Sequence, residues 1–162
     1  MTTLADRVQR MEDVEAIRAL DARYCRLIDT GDWPGLVALF TPDGTFDGLR
    51  AASGHEELLA FFGGLAGGGI RWWHHVSNHE IEVAADTATV RSMLWQPCVV
   101  DDVPHVAAGR YSDRLVRTAD GWRYALKQVR FDYWGPLQDG WDQHRFGFSP
   151  ARAAATPTGP VA

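Results

Sequence analysis

Near residue 70 the apolar pattern of this chain changes period, and that change constrains the fold more than any other feature. Before it, Leu4, Val8, Met11, Ile17, Leu20, Tyr24 and Leu27 recur every three or four positions, which predicts a helix over residues 4–29 with this stripe facing a core. After it come four stretches of alternating character, near 71–83, 87–99, 104–117 and 122–134, separated by "AAD", "VDD" and "TADG". They read as a meander of antiparallel strands. Helices first and strands afterwards give an α+β class, with N-terminal helices packed on a curved, mostly antiparallel sheet.

Local signals refine this outline. Gly31 can stop the first helix, and Asp32 can cap a short second one that carries Pro34 in its first turn and buries Leu36, Leu39 and Phe40. "TPDG" reads as a turn and "TFDG" as a short strand. Ser53 with Glu56 three residues on reads as a capping box, opening a helix "HEELLAFFGGL" that ends at Gly67, Gly68 and Gly69. The apolar parity switches between Val76 and Ile81, which a bulge near Ser77 to Glu80 would produce. In the last strand Trp122, Tyr124, Leu126, Gln128 and Arg130 share one face, and Arg123 and Lys127 share the other with Ala125, Val129 and Phe131. An unbroken strand puts Arg130 with the large apolar residues. Residues 1–148 are expected to form one domain, and the small, Pro-rich 149–162 a disordered tail.

Composition excludes several function classes. The net charge is −5 with no basic block, so the footprint of a nucleic-acid binder is missing. No run of about 18 apolar residues occurs and the N-terminus is charged throughout, so neither a membrane span nor a signal core is read, and a cytoplasmic location is expected. Cys25 and Cys98 suit neither a disulfide framework nor a zinc site and are expected to be reduced and buried. His74, His75 and His79 lie within six residues, but strand geometry puts His74 opposite the other two and no HExxH spacing appears. Neither GxSxG, a phosphate loop nor CxxC is present; no metal and no cofactor are expected. Seven Trp, with Trp72, Trp73, Trp95, Trp122 and Trp134 on the strands, point to an aromatic-lined interior, a core or a subunit contact. The expected partners are a small hydrophobic substrate and further copies of the chain. Asp29 stands out, because a carboxylate in the last helical turn faces the negative end of the helix dipole and calls for a cation.

"YCRLIDTGDW", "LFTPDGTFDG", "HHVSNHEIEV" and "GRYSDRLVRTADGWRYALKQVRFDYW", in that order over about residues 10–135, resemble the SnoaL-like branch of the nuclear transport factor 2-like superfamily. The resemblance implies a cone-shaped α+β barrel with a deep pocket between sheet and helices. Within the branch the chain is similar to scytalone dehydratase, bile-acid dehydratase and hexachlorocyclohexane dehydrochlorinase, which implies a cofactor-independent, dehydratase-like lyase. By that resemblance His74 is the base, Asp29 orients it, and Tyr24 and Arg130 assist; a pocket Asp of the bile-acid enzyme meets Gln96 here. Trp72, Trp95, Gln96, Phe46 and Trp134 are the expected substrate-binding residues. Isomerase, polyketide cyclase and formaldehyde-releasing lyase chemistry, or binding without catalysis, remain open, and the relatives imply a homo-oligomer, trimer or dimer. Plainer roles stand beside these: Asp29 bonding the "TGDW" turn, His74 and Tyr24 as core residues, and Arg130 paired with Asp132 or Glu80.

Overall fold

The computed structural model describes residues 3–65 and 70–139; the proposed tail and Gly67 to Gly69 lie outside them. Helix α1 runs Leu4–Thr30, capped by Thr3 and stopped by Gly31, whose φ of 73° is the left-handed conformation that glycine adopts most easily. Asp32 caps α2, Trp33–Val37, by accepting a hydrogen bond from the Gly35 amide. Helix α3 spans Gly54–Leu65. Its capping partner is Glu57 rather than Glu56: the Glu57 carboxylate accepts from the Ser53 amide at 2.9 Å, while the Ser53 hydroxyl is engaged with Thr45 across to the next strand.

Seven strands form one mixed, strongly curled sheet on which the three helices pack, in the order β2-β1-β7-β6-β5-β3 with β4 also paired to β5. They are β1 Phe40–Asp47, β2 Ala51–Ser53, β3 Arg71–Trp72, β4 His75–Ala84, β5 Thr87–Val100, β6 Val103–Thr118 and β7 Gly121–Pro136. The antiparallel meander is as expected, and β1 adds a parallel pairing with β7. "TPDG" is no free turn; it lies within β1, where the register against β7 shifts between Phe40 and Thr45. The expected first long strand is two, β3 and β4, interrupted at Trp73 and His74.

Bulges decide which side chains face the helices. In β4 the register shifts between Ser77 and Glu80, with Asn78 at a φ of 55°, and this turns His79 toward α1. In β7 the partners of Leu115 and Arg114 are Tyr124 and Leu126, so Ala125 is an extra residue. The buried parity passes from Trp122 and Tyr124 to Lys127 and Val129. Arg130 is thereby turned outward, contrary to the reading from an unbroken strand. A second shift falls between Ala108 and Gly109, and a Cβ on Gly109 would lie 2.5 Å from the Arg130 carbonyl oxygen.

The apolar stripe of α1 is buried only from Ile17 onward. Asp13 meets Arg117 and Trp122 beside the β6–β7 turn, and the helix turns that carry Leu4, Val8 and Met11 run on past it, exposed. At the other end Phe40, Phe46, Phe61 and Phe62 join β1 to α3 in one aromatic cluster. No helix among the described residues is long and apolar enough to cross a membrane.

Candidate active site

The end of α1 and the β3–β4 break meet at Asp29 and His74. The Asp29 carboxylate accepts from the His74 ring at Nδ1, 2.6 Å away, and from the His74 backbone amide at 3.0 Å. It does not close the "TGDW" turn, which backbone bonds from Asp32 to Leu27 and from Trp33 to Gly31 hold instead. With Nδ1 occupied, Nε2 is the ring nitrogen left for chemistry. His74 lines a cavity between α1, α3 and the sheet, whereas Asp29 stands behind it and is not among the lining residues.

That cavity has a volume of about 60 Å³ and walls that are almost wholly apolar, including Phe46, Phe61, Trp72 and Trp134. The Trp72 indole donates to the Ile28 carbonyl at 3.1 Å, which ties the wall to α1. Tyr24, His74, Gln96 and Tyr111 bring polar atoms to it. The Tyr24 hydroxyl and the Gln96 Oε1 are buried without a hydrogen-bond partner. A larger groove, of about 590 Å³, lies at the far end of α1 between Asp6, Arg10, Asp13 and Arg117; it is an open, ion-paired surface remote from His74.

Behind the Tyr24 and Tyr111 rings lies a buried charge cluster. Lys127 is fully buried; its ammonium donates to Asp21 at 2.9 Å and Asp113 at 2.8 Å, and lies 4.1–4.6 Å from the ring centres of Tyr24, Tyr111 and Tyr124. Asp21 also accepts from the Tyr124 hydroxyl at 2.8 Å and pairs with His79 Nε2 at 2.7 Å. Burial opposes charge on Asp21, but Lys127 and these hydrogen bonds outweigh it and hold the carboxyl below its usual range. Burial wins at Asp113, whose pKa is pushed up to about 6 despite Lys127. It also raises the Tyr24 phenol, so that hydroxyl stays a donor at neutral pH.

Of the residues expected at the site, Tyr24, His74, Phe46, Trp72, Gln96 and Trp134 line the cavity. Arg130 does not: it pairs with Asp47 at 2.7 Å, in place of Asp132 or Glu80, with its side chain half exposed. Trp95 lies opposite His75 on the exposed side of β5. Period-two alternation puts Gln96, its neighbour, inside and Trp95 outside. The three histidines diverge, His75 to solvent and the others to separate aspartates, and no group of three or more ligand-type side chains among the described residues is placed to hold a metal. Cys25 and Cys98 are free, and burial pushes the Cys25 thiol up to about 12.

Asp21, Lys127 and Tyr111 escaped the sequence reading as site residues. A signal existed: Asp13, Asp21 and Asp29 are eight residues apart on α1, each step turning about 80° round the helix, and the first two are buried and the third half-buried. Each reaches a basic group opposite the helix: Arg117, then Lys127 with His79, all on the sheet, then His74 in the β3–β4 break.

A family model for the SnoaL-like domain matches residues 9–126. The chain belongs to the SnoaL-like family. It is 30% identical over 130 residues to an uncharacterised protein of Mycobacterium tuberculosis, a match that covers 76% of this chain and 85% of that one. Its fold is similar to that of a candidate scytalone dehydratase from Novosphingobium aromaticivorans, with a TM-score of 0.73 at 21% identity, covering 79% of this chain and 89% of that one. It is similar also to a hexachlorocyclohexane dehydrochlorinase from Novosphingobium barchaimii, with a TM-score of 0.74 at 18% identity, covering 80% and 93%. The SnoaL-like cavity described above thus sits on a fold shared with proteins named for elimination reactions.

Proposed function

We propose that this SnoaL-like protein is a cofactor-independent, dehydratase-like lyase in which His74 abstracts a proton from a hydrophobic, cyclic or aromatic small molecule. The observation that carries this reading is the single orientation of His74: Asp29 occupies Nδ1 while the ring borders an apolar cavity. His74 Nε2 takes a proton from the carbon beside a carbonyl, and Asp29 stabilises the imidazolium that forms. The Tyr24 hydroxyl donates to the developing enolate oxygen. As the double bond forms, the β C–O bond breaks, and the leaving hydroxide takes the proton from His74 to depart as water. The substrate becomes an enone and the base is restored.

A volume of about 60 Å³ is small for a ring, since ligand pockets commonly hold about 300–1,000 Å³, so binding requires the walls to yield. A homo-oligomer remains part of this reading; Met93 and Trp95 on the exposed side of β5 are suited to be covered by a second copy, and a monomer by light scattering would remove it.

The test is to incubate the protein with 3-hydroxycyclohexanone in deuterated buffer and follow α-proton loss by NMR and enone formation by absorbance. Both are expected, and both should disappear in His74→Ala. Exchange without enone would favour isomerase or cyclase chemistry at the same base. No exchange beyond the His74→Ala background would overturn the proposal.

A further inference from the structure

Buried polar side-chain atoms almost always find a partner, so those that lack one point to a partner that comes from outside. Among the described residues the unpartnered atoms are the Tyr24 hydroxyl, the Ser92 hydroxyl and Gln96 Oε1, and the first and last line the same cavity. Gln96 is 3% exposed, and its side chain enters the cavity because alternate residues of β5, from Val90 to Cys98, are buried. Across β6 it faces Ala107, a small side chain. A leucine would suit the apolar walls better unless the carboxamide has a ligand group to meet.

We infer that Gln96 determines specificity: it bonds a hydroxyl of a neutral substrate whose carbonyl oxygen accepts from Tyr24. The inference rests on the proposed proton abstraction only for which substrate oxygen faces Tyr24. A hydroxyl is the group that fits best, because it both donates and accepts and so satisfies the amide in either of its two orientations. Among the described residues that line the cavity there is no Lys or Arg to pair with a ligand carboxylate. Among the described residues Lys127 lies behind the tyrosines, held by Asp21 and Asp113, and Arg130 lies outside with Asp47. A halocarbon leaves both oxygens unpaired. A site built around a hydroxyl discriminates strongly against an analogue without it, because the protein group is then stranded.

The experiment compares 3-hydroxycyclohexanone with 3-methylcyclohexanone, which replaces the hydroxyl by a methyl of similar size. Dissociation constants are measured by NMR titration in the His74→Ala background, which prevents turnover. The hydroxyketone is expected to bind about tenfold more tightly. Gln96→Leu, with Gln96→Met as a second variant in case of misfolding, should erase that preference, and Tyr24→Phe should weaken both ketones alike. Equal affinities with Gln96 present, a preference that survives both Gln96 variants, or failure of both ketones to bind at millimolar concentration would overturn the inference. Exchange of the α-protons of 3-methylcyclohexanone by the unaltered protein tests the base separately. Exchange without a hydroxyl preference sinks the role of Gln96 alone, and a preference without exchange sinks the role of His74 alone.

Discussion

Asp29 holds His74 at two points, accepting from its backbone amide at 3.0 Å and from its ring at 2.6 Å. Two turns earlier on α1, Asp21 holds His79 through the other ring nitrogen, Nε2, at 2.7 Å. The two pairs look alike in sequence and differ in use. The Nδ1 contact keeps Nε2 of His74 available at the cavity, whereas the Nε2 contact commits His79 inward to the charge cluster around Lys127.

If the first pair acts as one unit, Asp29→Asn and His74→Ala should each slow α-proton exchange by about a hundredfold or more. The double variant should be little slower than His74→Ala alone, because residues serving one step are not additive. Exchange rates by NMR, with circular dichroism to verify folding, check this. Full exchange in Asp29→Asn, or multiplicative losses, would remove the orienting role.

Lys127→Met should destabilise the protein by about 3–5 kcal/mol, since it strands the buried carboxyls of Asp21 and Asp113 without their counter-charge. Urea unfolding measures the loss. Adding Asp21→Asn and Asp113→Asn should restore part of it. A loss under about 1 kcal/mol would mean that the cluster is far better solvated than its burial indicates.

Arg130→Gln should leave exchange within about twofold and change stability by under about 1 kcal/mol, because its pairing with Asp47 is half exposed. Steady-state rates and melting temperature check both. A large loss of rate would show that Arg130 turns into the cavity when substrate binds.

Asp113 carries a pH signature. Its folded pKa, about 6, lies above the ordinary 3.8, so the folded state holds the extra proton between those values. In that window Asp113 makes stability fall as pH rises. Asp113→Asn lacks this titration, so its melting temperature should gain on the unaltered protein from pH 4 to pH 6. Asp21, held below its ordinary 3.8, titrates below this window and adds little slope within it. A constant gap across the window would contradict the assignment.

The sequence alone determined what depends on neighbours along the chain. The 3.6-residue stripe of α1, the Gly31 stop, the Asp32 cap and the period-two strands are set by local backbone preference and side-chain spacing, and all are present. The β4 bulge was legible too, because a change of apolar parity within one strand has no other cheap explanation. The β7 bulge at Ala125 was not, since Trp122, Tyr124, Val129 and Phe131 are apolar on both sides of the shift and betray no change of face. One extra residue, accommodated only against β6, sent Lys127 inward and Arg130 outward. Tertiary structure likewise decided that Leu4, Val8 and Met11 stay exposed, because how far a sheet extends beneath a helix is a property of the whole assembly. It also decided which histidine nitrogen meets which aspartate. That choice depends on where α1 crosses the β3–β4 break, a contact across 45 residues that no local spacing encodes.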